Sequence, residues 1–168
     1  MKKYTKKEIT DFLDESNKIE GVYDSESLRQ AETAWEFLEK QKDLTPDIIL
    51  KTHKILMLHH KLLPNEKGYF RRVPVYVGGR EGAKYKDIPM KINSWITSVS
   101  DTIKASILSA ISEERIQEDH VYYEEIHPFV DGNGRTGRMF MNWERMQVGL
   151  SIKIIYEKER SEYYKWFK

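Results

Sequence analysis

The chain has 168 residues, a formal net charge of +1 and 33% charged residues, enough for one domain with a proper core and too few for two comfortable ones. Its mixed surface offers no field for nucleic acid or membrane, no run approaches 18 apolar residues, and zero cysteines exclude disulfides and thiol chemistry. The basic start Met1-Lys2-Lys3-Tyr4-Thr5-Lys6-Lys7-Glu8 leads into no apolar run, so no secretory signal is expected and the default is a soluble, cytoplasmic protein.

In chain order, Thr5-x-x-Glu8 is a capping box that opens a first helix ending near Gly21. At about 100° per residue, Ile9, Leu13, Ser16 and Glu20 share one stripe and Asp11, Asp14 and Lys18 lie opposite. Glu20 thus points where the apolar residues point, and there it needs a cationic or hydrogen-bonding partner. The alternative is a frayed last turn with Glu20 in solvent. Asp24 to Lys42 carries Leu28, Ala31, Trp35 and Leu38 at helical spacing, and Thr45-Pro46 caps a further helix expected over 48–63. That helix would hold His53, His59 and His60, but no additional ligands make a metal site of them. Tyr69 to Ile88 reads differently. Val73, Val75 and Val77 alternate with Pro74 and Tyr76, and Gly78-Gly79-Arg80-Glu81-Gly82 forms a turn, which predicts a β-hairpin or a plain surface excursion. An open hairpin edge would suit an extended peptide.

Helices then begin near Pro89 (Met90, Ile92, Trp95, Ile96, Val99) and run over 116–126, where His120 reads as a core or supporting histidine. A segment from Gly134 to Val148, apolar nearly all round (Met139, Phe140, Met141, Trp143, Met146), predicts a buried helix stopped by Gly149. A short final helix is expected within 154–167.

Between the last two long helices lies the densest chemistry of the chain, His127-Pro128-Phe129-Val130-Asp131-Gly132-Asn133-Gly134-Arg135-Thr136-Gly137-Arg138. His127 is a candidate general base. The glycines let backbone N–H groups approach a ligand closely, at the start of a helix with unpaired donors and partial positive charge. Arg135 and Arg138 offer planar forks suited to phosphate oxygens. Asp131 would repel a phosphate unless a divalent cation lay between them, and Mg²⁺ is commonly held by one or two carboxylates plus substrate phosphates. The segment therefore reads as a nucleotide site with a histidine beside it.

The segment also resembles the signature of the Fic family, H-P-F-x-D/E-G-N-G-R-x-x-R, at every fixed position. The resemblance implies a mostly α-helical, compact Fic domain over 1–168, with an inhibitory helix at 1–21, a β-hairpin flap at 69–88 and a catalytic loop at 127–138. It implies an AMP transferase that moves AMP from ATP to a Ser, Thr or Tyr hydroxyl of a target protein, or of the chain itself, with Mg²⁺ as cofactor. In that reading His127 is the base, Asp131 holds the metal, and Gly132, Asn133, Gly134, Arg135 and Arg138 bind the phosphates. Asn142 resembles a family asparagine near the nucleoside, although a helix-packing amide fits equally. The flap residues Val75, Tyr76 and Val77 would hold the target. Ser16-Asn17-Lys18-Ile19-Glu20-Gly21 resembles the family's inhibitory motif, S/T-x-x-x-E-G/N, which pairs Glu20 with Arg138 in the room of the γ-phosphate. The Tyr-Pro common after Gly149 is missing. Rivals are transfer of UMP, phosphocholine or a terminal phosphate, removal of AMP by a water that Glu20 positions, and a non-catalytic regulatory module. A homo-oligomer is left open.

Overall fold

The computed structural model describes residues 4–110 and 113–168; Met1–Lys3, the start of the expected 1–21 segment, fall outside the described residues. Local signals account for the first three helix starts. Thr5 and Glu8 exchange the reciprocal bonds of a capping box ahead of α1 (Lys6–Ile19). Asp24 accepts the Ser27 N–H ahead of α2 (Ser25–Leu38), and Thr45 accepts the Ile48 N–H ahead of α3 (Pro46–Leu56) with proline in the first turn. Then come α4 (Ile88–Ala105), α5 (Glu113–Ile126), α6 (Asn133–Gln147) and a C-terminal pair of 3-10 turns flanking α7 (Arg160–Tyr163). No helix among the described residues is long and apolar enough to cross a membrane.

Helix α6 is the axis of the fold, packed by α1, α3, α4 and α5. Every residue from Arg135 to Arg145 is buried. The main core gathers Phe12, Leu13, Trp35, Leu38, Ile49, Leu56, Ile92, Trp95, Tyr123, Phe129, Phe140 and Trp143 around it. A smaller cluster of Ile19, Ile116, Met141, Ile155 and Tyr163 seats the C-terminal segment against the end of α1. Burial all round is as expected, but the apolar character is not: Arg135, Arg138, Asn142, Glu144 and Arg145 are buried with the rest. Such groups are tolerated only with partners. Arg145, for example, donates to the Ser151 carbonyl at 2.7 Å and pairs with Glu113 at 3.0 Å.

Three expectations need correction. Helix α3 ends at Leu56, not Leu63, and Met57 leaves helical geometry, so His59 and His60 lie beyond the helix that holds His53. The turn carries Met57 and His60 back against Gly132 and Arg135. The hairpin is real but small, with β1 (Tyr76–Val77) paired antiparallel to β2 (Arg80–Glu81). Gly78 and Gly79, both at positive φ, make the whole turn, and Arg80 and Glu81 belong to the second strand. Val73 and Val75 lie outside the two-residue strands; the Val75 carbonyl still accepts the Gly82 N–H at 2.9 Å, and below it the buried Arg71 guanidinium takes the Val73 carbonyl at 2.8 Å and the Ala83 carbonyl at 2.6 Å. Finally, 151–156 carries no regular secondary structure before the last turns, so the end of the chain is only in part helical.

Candidate active site

Helix α5 ends on an unusual residue. His127 has φ 47, the left-handed region that glycine normally fills after a helix. It also precedes a proline, which disfavours continuation of the helix. A non-glycine residue held there costs on the order of 1–2 kcal/mol, and such outliers are held by their surroundings. Here Arg71 supplies the restraint. Its Nε donates to the His127 carbonyl at 2.7 Å and its backbone N–H to the Pro128 carbonyl at 2.9 Å. The imidazole is mostly buried, and burial keeps His127 below the ordinary histidine value, with Arg71 adding to the effect. The ring is therefore neutral at pH 7. With Nδ1 directed at the Glu124 carbonyl, 3.3 Å away, the proton belongs on Nδ1 and Nε2 is free to accept one.

After Pro128 the chain is pinned by Phe129. Its ring is fully buried and stacks on His53 at 3.7 Å with 6° between planes. His53 accepts the Gly68 N–H at Nδ1, so its Nε2–H donates to the Asp131 carbonyl, both at 2.9 Å. Burial pushes its pKa down to about 4, so it stays neutral and serves as a bracket for the loop. Gly132 then turns through φ 81 and starts α6. A Cβ on it would collide with Met57, which with the positive φ makes glycine necessary. Asp131 directs a 58% exposed carboxylate outward, anchored by Oδ1 accepting the Gly132 N–H at 2.6 Å.

The first turn of α6 presents the backbone N–H groups of Asn133, Gly134 and Arg135, which have no partner within the helix, and the positive end of its dipole. That cradle is covered by Glu20, the C-cap residue of α1. Its carboxylate lies so close over Gly134 that a Cβ there would overlap it. Glu20 Oε1 accepts from Arg138 Nη2 at 2.6 Å, and Arg138 also donates to Ser16 Oγ and the Ser16 carbonyl, each at 2.9 Å. The Tyr163 hydroxyl lies at 3.3 Å and its ring beneath the guanidinium, 5.5 Å away. Arg138 is only 1% exposed, and its carboxylate and phenol neighbours outweigh burial and hold it firmly protonated. The inward stripe of α1 thus meets a cation across 118 residues of chain.

Not every motif residue faces this cradle. The Asn133 amide, expected at the phosphate, turns inward and reads both sides of Phe129, accepting its N–H at 2.8 Å and donating to its carbonyl at 2.9 Å. Asn133 therefore shapes the loop. Arg135 runs away from Arg138 to the end of α3, donating to His60 Nε2 at 2.9 Å, with Asp131 3.8 Å away. Asn142 is fully buried and clamps the Lys153 backbone with both amide atoms, at 3.0 and 2.8 Å, which makes it the helix-packing amide. The flap residues stand apart. Tyr76 and Val77 are exposed and Val75 is half-buried, beside the site but outside the cradle. No cluster of three or more metal-ligating side chains exists among the described residues. A cation at Asp131 would need its other ligands from a bound phosphate, and one exposed carboxylate beside an anion cradle suits Mg²⁺ held that way.

Sequence reasoning missed Arg71, His53 and Glu124 as parts of the site. For Arg71 and His53 the bonds that matter go to backbone atoms far along the chain, which no local pattern announces.

Comparison with known proteins agrees with this geometry. The Fic/DOC family model matches residues 43–144. The chain is 34% identical over 164 residues to the protein adenylyltransferase Fic of Drosophila melanogaster, covering 93% of this chain and 30% of that one. The Drosophila willistoni protein of the same name is 36% identical over 122 residues, covering 68% of this chain and 23% of that one. The chain therefore spans about a third or less of the curated relatives it matches. Among solved structures, a Fic-domain-containing signaling protein from Bacteroides thetaiotaomicron superposes with TM-score 0.78 at 20% identity, over 95% of this chain and 70% of that one. Fic-1 of Caenorhabditis elegans does so with TM-score 0.78 at 20% identity, over 96% and 55%. With the motif, the helical fold and the family match coinciding on the same residues, this chain belongs to the Fic/DOC family.

Proposed function

We propose that this protein is an adenylyltransferase that moves AMP from ATP to a hydroxyl side chain of a target protein, itself included, and that Glu20 restrains it. The observation that carries the reading is the neutral, mostly buried His127 set directly before an anion cradle that a carboxylate of the same chain already covers. The names of the relatives add to it.

In the reaction His127 Nε2 takes the proton of the target hydroxyl as its oxygen attacks the α-phosphate and pyrophosphate leaves. The backbone N–H groups at the start of α6 stabilise charge developing on the phosphate oxygens. Arg138, once released by Glu20, holds the terminal phosphates. Arg135 reaches them only by leaving His60; while bonded there it orders the loop. Asp131 would hold Mg²⁺ together with the phosphates, a group that neutralises phosphate charge and orients the chain. The exposed edge of the hairpin at Tyr76 and Val77 lays an extended target segment beside His127 by strand addition. An ATP substrate and a soluble cytoplasmic setting fit this chemistry.

The experiment is incubation with ATP labelled at the α- or the γ-phosphate in the Glu20→Gly protein. Protein-bound label from the α-position alone is expected, and its loss in His127→Ala with ATP binding retained. Label from the γ-position would replace AMP transfer by phosphate transfer, and undiminished transfer by His127→Ala would remove the base.

A further inference from the structure

Glu124 is a carboxyl in a place where none is cheap. It lies on the last turn of α5, with Oε2 3.9 Å from His127 Nδ1 and a side chain only 12% exposed. Its Oε1 is buried with no hydrogen-bond partner among the described residues. The room for it comes from Gly137 on α6. A Cβ on Gly137 would overlap Oε1 and would press on the Tyr123 ring and His120 at 3.0 and 3.1 Å. A half-satisfied buried carboxyl costs stability. One that sits beside a catalytic histidine, opposite a glycine that makes space for it, calls for a functional account.

We propose that Glu124 is a positioning residue for His127, holding the imidazole at its Nδ1 edge and stabilising the imidazolium that forms when the ring takes the target's hydroxyl proton. This inference rests on the general-base reading of His127. The backbone carbonyl of Glu124 accepts the Nδ1–H, which fixes the tautomer that leaves Nε2 free, and the carboxyl 3.9 Å away offsets the positive charge after transfer. The proton balance is simple: the target O–H bond breaks, its proton goes to Nε2, the oxygen's electron pair goes to phosphorus, and Nδ1 keeps its own proton throughout.

The groups that face this carboxyl are Arg138 on α6, Glu20 at the end of α1, His120 and Tyr123 on α5, His127 just after it, and Tyr163 and Tyr164 in the C-terminal turns. Burial pushes Glu124 up to about 7, Arg138 pulls it down and Glu20 raises it again. The stabilising, ionised form is thus gained as pH rises through neutrality, while His127 itself titrates lower.

The test is Glu124→Gln in a Glu20→Gly background. The variant keeps shape, and at low pH it keeps charge. kcat for transfer is expected to fall about tenfold at pH 8, a part of the roughly 10²–10⁴-fold that general-base assistance as a whole contributes, with KM for ATP changed less than about twofold. The parent rate should rise through neutral pH and the variant should lack that rise. An NMR titration of the His127 ring supplies a readout independent of activity: two inflections in the parent, its own and one near neutrality from Glu124, and a single one in the variant. Gly137→Ala, which pushes the carboxyl aside, should reproduce the loss. An unchanged pH profile and an unchanged His127 titration in Glu124→Gln would overturn the proposal. If instead His127→Ala transfers normally, the base reading fails, and the ring titration alone still decides whether Glu124 holds His127.

Discussion

Removing the Glu20 carboxylate should switch the protein on. Glu20 Oε1 sits 2.6 Å from Arg138 Nη2 and over Gly134, where an incoming phosphate would seek the N–H groups of α6. Two unit charges about 4 Å apart attract by about 4 kcal/mol at an effective dielectric of 20. Glu20 is 35% exposed, so solvent screens the pair, and about half of that, roughly 2 kcal/mol, is a fair cost for opening it. Every 1.4 kcal/mol is tenfold in rate, so Glu20→Gly should raise transfer about thirtyfold. Stability should fall by only about 1–2 kcal/mol, because Arg138 keeps Ser16 Oγ, the Ser16 carbonyl and the Tyr163 hydroxyl as acceptors. The assay is incorporation of AMP from α-labelled ATP into the protein itself and into lysate proteins, with urea unfolding as the control for stability. Equal labelling by wild type and Glu20→Gly, under conditions where His127→Ala is dead, would refute the reasoning, and the Glu20–Arg138 pair would then be a structural tie between α1 and α6.

Asp131→Ala should cost at least tenfold in Mg²⁺-dependent transfer with the fold intact, since the carboxylate is exposed; a variant as active as wild type, and equally sensitive to EDTA, would give the metal to other groups. Replacing Val75 and Val77 by charged residues should lower labelling of protein targets while ATP affinity, measured by calorimetry, stays within about twofold; a parallel fall in affinity would place the hairpin in the nucleotide site. Glu144 is buried beside the Asp119 carboxylate, and burial first and Asp119 second push it up to about 10. Folding thus favours its protonated form, a preference fully present below about pH 4.5 and lost as pH rises toward 10. Glu144→Gln keeps a donor for Asp119 and escapes that loss, so its gain over wild type should grow with pH to about 3 kcal/mol at pH 7 by linkage. A urea-unfolding difference independent of pH between 5 and 8 would contradict this.

The sequence by itself determined what is local. Caps at Thr5 and Thr45 are bonds between residues three apart, and helical periodicity is a property of one segment, so α1 and α6 were legible within a residue or two, and α2 at its start though it ends at Leu38 and not Lys42. The candidate active-site loop was legible because twelve contiguous residues carry its chemistry. The inward face of Glu20 followed from helix geometry, and the family resemblance supplied its partner. Only the tertiary structure decided which polar atoms of that loop remain available. Asn133 directs its amide to Phe129, Arg135 turns to His60, Asn142 clamps Lys153, and Arg71 takes the carbonyls of Val73 and Ala83 at the base of the hairpin. These partners lie on other segments, and a buried polar group must be satisfied by whatever packing brings next to it. The same holds for Glu124 and Gly137. One is an ordinary helix residue and the other an ordinary glycine until the crossing of α5 and α6 sets them face to face beside His127.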